Sequence, residues 1–145
     1  MLALPFTLLR EVEITVELPE VPDGDYTIPL GRAAITHPGS RVTVVAYGLM
    51  AHYALEAADV VAEEGISVEV VDLRTLRPLD KDLLLSSVRK TGKCLVVHED
   101  TLTGGFAGEI IAEIASQAFE HLDAPVERLG ARDCPVPYNA GLMGA

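Results

Sequence analysis

The sequence predicts a three-layer α/β domain, in which helices cover both faces of a mostly parallel five-stranded sheet. Apolar runs of strand length alternate with longer segments whose apolar residues recur at helical spacing. The strand runs are nearly continuous in aliphatic residues, as expected for parallel strands buried on both faces. A helix between successive strands implies right-handed crossovers within one sheet. One early strand, around residues 27–34, has no helix before the next strand and is expected to lie antiparallel at an edge.

The regular part of the pattern begins at residue 41. A buried strand over residues 41–47 is turned by Gly48, and a helix over 49–64 follows and stops at Gly65. The next strand covers residues 66–72 and is rich in valine. These elements predict the first strand–helix–strand unit of the sheet.

A second helix is predicted to begin at Arg77-Pro78, since proline is favoured in a first helical turn. Acidic residues early in this segment and basic residues late in it suit the helix dipole, and Gly92 ends it. The remaining elements are a strand over 93–98, a helix over 105–121, a strand over 126–129 and a tail over 130–145.

Residues 1–26 are predicted to form an N-terminal arm or linker, and residues 27–145 the domain itself. The first residues are apolar but lack a basic region and a small-residue cleavage site, so they are not expected to be a signal peptide. Turn-forming residues around Pro22 and Gly24 close the arm, and a short strand is expected over 26–30.

Composition limits the function classes. The net charge is −11 and the 11 basic residues are scattered, which argues against binding to nucleic acid. An acidic chain attracts basic partners, unless its acidic side chains serve only as solvated surface. Cys94 and Cys134 are expected to be free thiols in a reducing compartment. No apolar run reaches membrane-spanning length, so the expected location is the cytoplasm or a matrix-like compartment.

The most informative stretch runs from Val96 to Ile110. A strand pattern ends in His98-Glu99-Asp100, which places ionisable groups at the carboxyl end of a parallel strand, where α/β sheets hold ligands. A histidine beside carboxylates can act as an acid or base. Consecutive strand residues point to opposite faces, which disfavours a shared metal ion. Two other interpretations stay open: His98 fixes the loop by hydrogen bonds, or these residues dock a partner.

The loop Thr101–Gly105 also has two interpretations. Backbone N–H groups before a helix can bind an anion, but two glycines without a Walker or dinucleotide motif are a weak phosphate signal. The alternative is close packing of the helix on the sheet, with an N-cap at Thr103. Further along this helix, Glu109 and Glu113 form either a carboxylate pair for acid–base or metal chemistry or an ordinary solvated face.

Arginines follow the strand that ends at Asp72. Arg74 or Arg77 can clamp a carboxylate or phosphate, or pair internally with Asp72 or Asp80. Tyr138 lies in a proline-containing tail, where it is either a lid over the core or a contact residue. The motif G-x-S-x-G is absent and neither cysteine is beside a histidine, so nothing in the sequence indicates nucleophilic catalysis.

Seven segments together, in order along the chain, resemble one known family. They are residues 21–33, 42–48, 70–80, 90–92, 96–110, 122–126 and 135–138. The sequence resembles the C-terminal domain of the beta subunit of the thiamine-dependent decarboxylating component of 2-oxo acid dehydrogenases, in the transketolase C-terminal domain superfamily. His98-Glu99, followed by Leu102-Thr-Gly-Gly-Phe106, is closer to the branched-chain type than to the pyruvate type.

The resemblance implies a parent enzyme that decarboxylates branched-chain 2-oxo acids or pyruvate oxidatively and transfers the acyl group to lipoyl groups. That enzyme uses thiamine diphosphate and magnesium, bound between an alpha subunit and the N-terminal domain of the beta subunit. The residues that bind them in the family have no counterpart in this sequence. We therefore expect no catalytic, cofactor-binding or metal-binding residue here, and a chain that is inactive alone.

The resemblance also implies partners. These are the alpha subunit and a second beta subunit of a heterotetramer, and the basic subunit-binding domain of the dihydrolipoyl acyltransferase, which an acidic chain suits by complementarity. The expected docking or interface residues are His98, Glu99, Asp100 and Tyr138. Nucleic acid and membrane are not expected partners. The implied location is the bacterial cytoplasm, or the mitochondrial matrix in a eukaryote.

Two alternative functions stay open at this point. One is a standalone small α/β ligand-binding domain or enzyme that uses a crevice at Gly48, Arg74 and His98. The other is the equivalent domain of transketolase or deoxyxylulose-phosphate synthase, with a sugar-phosphate substrate.

Overall fold

The computed structural model describes residues 23–135. This part of the chain contains five strands: β1 (Ala34–His37), β2 (Val42–Ala46), β3 (Val68–Asp72), β4 (Cys94–Thr101) and β5 (Glu127–Ala131). The helices are α1 (Leu49–Ala62), α2 (Lys81–Thr91) and α3 (Ala107–Gln117), and a single 3-10 turn covers Phe119–His121. The predicted alternation of strands and helices is confirmed.

The strands form one sheet in the order β1-β3-β2-β4-β5. The last four strands are parallel, whereas β1 is antiparallel to β3 at the edge. The chain moves from β2 to β3 in one direction and then to β4 and β5 in the other. Right-handed crossovers therefore place α1 on one face and both α2 and α3 on the opposite face. This arrangement confirms three layers and one antiparallel edge strand.

Each face of the sheet carries its own core. The larger core packs α2 and α3 against one face, and its fully buried members include Leu84, Ile110 and Ile114. The smaller core packs the alanines of α1 against Val70 and Val97. Neighbouring residues of β4 enter different cores, because successive strand side chains point to opposite faces.

The edge strand lies later in the chain than expected. No strand forms over residues 26–30, and β1 begins only at Ala34. Pro29 has no backbone N–H to donate to a neighbouring strand. Two donors after it bond to side chains of the loop after β3: Gly31 N–H donates to Thr75 Oγ1 at 2.9 Å and Ala33 N–H to Asp80 Oδ2 at 3.0 Å.

The second helix also begins later than predicted. It starts at Lys81 rather than at Arg77-Pro78, because Asp80 is its N-cap and accepts a hydrogen bond from Leu83 N–H at 3.2 Å. Its predicted end is confirmed: Gly92 takes a left-handed conformation with φ 68°. The third helix is shorter than the predicted 105–121, since the last residues form the separate 3-10 turn.

The predicted arm lies almost wholly outside the described residues, and its boundary at residue 26 stays a prediction. Residues 23–26, which are described, belong to no helix or strand. Within residues 23–135, no helix is long and apolar enough to cross a membrane.

Candidate functional site

The strand order reverses at the carboxyl ends of β2 and β4. These strands are parallel neighbours, but the chain leaves β2 for α1 on one face and β4 for α3 on the other. In open α/β sheets, such a reversal opens a crevice that holds ligands or partner groups. We call this place the switch crevice; its residues are Tyr47, Gly48, Glu99 and Asp100.

Glu99 and Asp100 were predicted to follow the third parallel strand, but they lie within that strand, β4. β4 continues to Thr101, so the predicted end at His98 is wrong. Val97 pairs with Leu129 and Thr101 with Ala131, which leaves three residues of β4 opposite a single residue of β5. This irregular pairing is a bulge, and a bulge bends a strand and redirects its side chains.

His98 is buried, and its ring centroid lies 6.4 Å from that of Tyr47. Its side chain is 2% exposed, and its ring lies between two glycines. A Cβ on Gly105 would overlap His98 Cε1, and one on Gly130 would lie 2.7 Å from His98 Nε2. Among the described residues neither ring nitrogen has a hydrogen-bond partner, so the expected loop-fixing hydrogen bonds are not found there. The ring instead fills the space between β5 and the start of α3.

Glu99 points to the opposite side of β4. Its Oε2 atom would lie 3.6 Å from a Cβ built on Gly48, the residue that precedes α1. No side chain caps α1, and its first turn has no acidic residue. A carboxylate at this helix N-terminus therefore complements the helix dipole. The structure brings Glu99 from β4 to a helix that follows β2.

The switch crevice is negatively charged. Glu99 and Asp100 are both exposed, and Asp100 Oδ1 accepts a hydrogen bond from Thr101 N–H at 2.9 Å. Burial raises the pKa of Tyr47, and the charges of Asp100 and Glu99 raise it further, because a phenolate would face two carboxylates. The crevice therefore suits a cationic group.

The loop after β4 is tied to the chain after β5. Leu102 N–H donates to Ala131 O at 3.1 Å, and Thr103 donates to the Asp133 carboxylate from both its N–H, at 2.9 Å, and its hydroxyl, at 2.6 Å. The hydrogen bonds from Thr103 hold the pKa of Asp133 below its usual value. The predicted N-cap at Thr103 is wrong, since Phe106 precedes α3 and no side chain caps that helix.

The predicted close packing of the third helix on the sheet is confirmed. A Cβ on Gly105 would overlap the backbone carbonyl oxygen of Thr101 as well as the ring of His98. A glycine is therefore needed at this position so that the start of α3 can approach β4.

The other predicted site residues lie elsewhere. Arg74 pairs internally, with its Nε 3.8 Å from Asp72 Oδ2, which confirms one of the two interpretations for this arginine. Asp80 is used as the helix cap described above. Tyr138 lies outside the described residues. Over residues 23–135, no group of three or more His, Cys, Asp and Glu side chains could hold a metal ion.

Sequence reasoning missed two residues of this region. Tyr47 was predicted only as part of a buried strand, and Gly130 only as the start of the tail. The signal for Gly130 was available, because an isolated glycine beside a strand pattern indicates a bulge or a close backbone approach. A Cβ there would lie 2.8 Å from Asp100 O, opposite the bulge.

The comparison with protein families decides the kinship of the chain. The family model described as "Transketolase, C-terminal domain" matches residues 31–144, which include β1 to β5 and the whole switch crevice. The chain belongs to the transketolase C-terminal domain family. This match confirms the transketolase C-terminal domain superfamily predicted from the sequence.

Several relatives of this transketolase C-terminal domain have curated names. The chain is 45% identical over 119 residues to the 2-oxoisovalerate dehydrogenase subunit beta of Pseudomonas aeruginosa, covering 82% of the chain and 33% of the relative. It is 45% identical over 120 residues to the pyruvate dehydrogenase E1 component subunit beta of Bacillus subtilis, covering 83% and 37%. It is 49% identical over 123 residues to the acetoin:2,6-dichlorophenolindophenol oxidoreductase subunit beta of Cupriavidus necator, covering 85% and 36%.

A solved structure is similar as well. It is described as "Split gene transketolase, inactive beta4 tetramer", and it superposes with a TM-score of 0.69 at 34% identity, covering 80% of this chain and 37% of that one. The chain spans about a third of the length of the relatives it matches. The similarity therefore concerns one domain of larger subunits.

Proposed function

We propose that the chain is the C-terminal assembly and docking domain of a 2-oxo acid dehydrogenase beta subunit. The observation that carries this proposal is the 45% identity, over more than four fifths of the chain, to beta subunits named for 2-oxoisovalerate and pyruvate. The parent enzyme would decarboxylate branched-chain 2-oxo acids or pyruvate oxidatively and pass the acyl group to lipoyl groups. The partners proposed for assembly are an alpha subunit and a second beta subunit.

The docking role is proposed for the switch crevice. Glu99 and Asp100 are exposed at the carboxyl ends of the parallel strands, where α/β proteins meet ligands and partners. The chain carries a net charge of −11, so the long-range field favours approach of a basic domain. The occupant we propose is the basic subunit-binding domain of the dihydrolipoyl acyltransferase. His98 would act indirectly, by holding the bulge that presents the two carboxylates, and Tyr138 stays a proposed contact.

Thiamine diphosphate, which the family implies for the parent enzyme, does not fit the residues of the crevice. A diphosphate would face Glu99 and Asp100, the same carboxylates that raise the pKa of Tyr47. We propose that the cofactor and its magnesium bind in other parts of the parent enzyme. This domain would contribute contacts between subunits, and the proposed locations are the bacterial cytoplasm or the mitochondrial matrix.

Charge reversal tests the docking role. Glu99→Lys combined with Asp100→Lys is expected to weaken binding to the basic domain roughly tenfold at low salt, because exposed pairs contribute up to about 1 kcal/mol each. The affinity of the unchanged chain should fall as salt rises. Isothermal titration with the purified subunit-binding domain measures both effects.

The matched control is Glu63→Lys combined with Glu64→Lys. These two residues are also adjacent, acidic and exposed, but they follow the carboxyl end of α1, at the opposite edge of the sheet. The control changes the net charge by the same amount and should leave the affinity nearly unchanged. Equal weakening by both variants would mean that only net charge matters, and unchanged affinity for the crevice variant would refute docking there.

A transketolase subunit is a second candidate, favoured by the solved structure titled as a split-gene transketolase. The two candidates differ in their partners. Binding of the acyltransferase domain supports the dehydrogenase, and its absence supports the transketolase. Saturable binding of thiamine diphosphate or a 2-oxo acid to the chain alone would instead favour a standalone ligand-binding domain.

A further inference from the structure

Two charged motifs that are far apart in the sequence meet in one cavity. The cavity has a volume of 520 Å³ and lies where α2 and α3 begin, on the face opposite α1. Arg77, from the loop before α2, and Glu109, from the first turn of α3, both line it. Small-molecule sites in proteins have volumes of roughly 300–1,000 Å³, so this cavity has the size of a ligand site. We call it the α2/α3 cavity.

The charges in the α2/α3 cavity are balanced but not all paired. Lys81 Nζ lies 2.8 Å from Glu113 Oε2, so these two lining residues neutralise each other. Arg77 and Glu109 form no ion pair and no side-chain hydrogen bond with any residue of the described range 23–135. Both are exposed. The cavity therefore offers one cation and one anion that are available to a ligand.

The rest of the cavity wall is apolar. Leu76, Leu79 and Phe106 line it, and all three are partly buried against the larger core. An apolar wall next to a few polar groups is the usual composition of a site for a small organic molecule. The apolar part of a ligand would be held here, while the two free charges orient its polar end.

We infer that the α2/α3 cavity binds a free α-amino acid with an aliphatic side chain. The guanidinium of Arg77 would hold the carboxylate through paired hydrogen bonds, and the carboxylate of Glu109 would accept the ammonium group. A purely anionic ligand would also face Glu109 and Glu113, and a purely cationic one would face Arg77 and Lys81. A zwitterion satisfies both free charges, and its side chain covers the apolar wall.

Titration of the full 145-residue chain with L-leucine tests this inference. Saturable binding is expected, with a dissociation constant of about 1 mM or lower. Two analogues keep the same side chain and lose one charge: 4-methylpentanoate lacks the ammonium group, and isoamylamine lacks the carboxylate. Each should bind about fivefold more weakly, because one ion pair with an exposed side chain, worth up to about 1 kcal/mol, is lost. Equal affinity for leucine and for either analogue would overturn the inference.

Two variants probe the two ends of the ligand. Arg77→Gln should weaken the binding of leucine more than the binding of isoamylamine. Glu109→Gln should weaken the binding of leucine more than the binding of 4-methylpentanoate. Arg41→Gln and Glu56→Gln are matched controls, since both residues are exposed and neither lines the cavity. Far-UV circular dichroism checks that each variant is folded. Failure of leucine to saturate the chain, or equal weakening by the controls, would overturn the inference and leave the proposal for the switch crevice untouched.

Discussion

Replacing Gly105 by alanine is expected to destabilise the contact between α3 and β4. A Cβ at this position would lie closer than 3.0 Å to the carbonyl oxygen of Thr101 and to His98 Cε1. The carbonyl oxygen belongs to the backbone of the bulged strand, so it cannot rotate away as a flexible side chain would. His98 is 2% exposed and is closed in on its other side by Gly130. Overpacking of this kind costs about 1–3 kcal/mol, and two simultaneous overlaps place the expected loss near 3 kcal/mol.

Urea unfolding followed by far-UV circular dichroism measures this loss, since the chain has no tryptophan to report by fluorescence. In a thermal scan, a loss of this size corresponds to a fall in Tm of about 10 °C for a domain of this length. The matched control is Gly104→Ala. Gly104 has φ 79° and its Cβ would meet no atom within 4 Å, so its cost comes only from the left-handed backbone and should be about 1–2 kcal/mol.

The double variant Gly105→Ala with Gly130→Ala extends the test. Both added methyl groups would press on the ring of His98, so their effects should differ from additivity by about 0.5 kcal/mol or more. A loss of less than about 1 kcal/mol for Gly105→Ala, or a loss smaller than that of Gly104→Ala, would refute the steric reasoning. Strict additivity would show that His98 does not couple the two glycines.

Three other predictions follow from the ionisable groups. Burial raises the pKa of the Cys94 thiol to about 12, so this thiol should stay unreactive toward an aromatic disulfide at pH 8 in the folded chain and react only after unfolding. The hydrogen bonds from Thr103 lower the pKa of Asp133 in the folded chain. The stability that they contribute should therefore be complete above the pKa of an unfolded aspartate, and it should be lost as the pH falls through the pKa of the folded chain. Amide exchange at Thr103 measures this loss, and Asp133→Asn should remove the pH dependence. Asp100→Asn should lower the pKa of Tyr47 in an ultraviolet titration, because one of the charges that raise it is gone, and an unchanged pKa would show that Asp100 does not contribute.

The order of elements could be predicted from the sequence because it depends on local patterns. Gly92 ends α2 in a left-handed conformation, as expected for a helix stop. The valine-rich run before Asp72 became the parallel strand β3, next to β2. The start of α2 was misplaced because Pro78 and Asp80 both signal a helix N-terminus, and the hydrogen-bonding cap at Asp80 prevailed.

The candidate site could be predicted only in part. The sequence placed His98, Glu99 and Asp100 at the carboxyl edge of the sheet, and the structure agrees on this location. The sequence could not show which of these side chains point inward, because their orientations depend on a bulge created by pairing with β5, about thirty residues later in the chain. The structure buries His98 and leaves the two carboxylates exposed.

The sequence by itself therefore determined the alternation of elements, the acidic charge and the kinship with the transketolase C-terminal domain family. These properties depend on residue identities and on short-range spacing. Only the tertiary structure decided which side chains meet. It brought Glu99 to the start of α1, set His98 between two glycines, and placed Arg77 beside the first turn of α3 in one cavity. Such contacts join residues distant in the chain, and they form because the crossovers of a parallel sheet bring the ends of separate elements to a common edge.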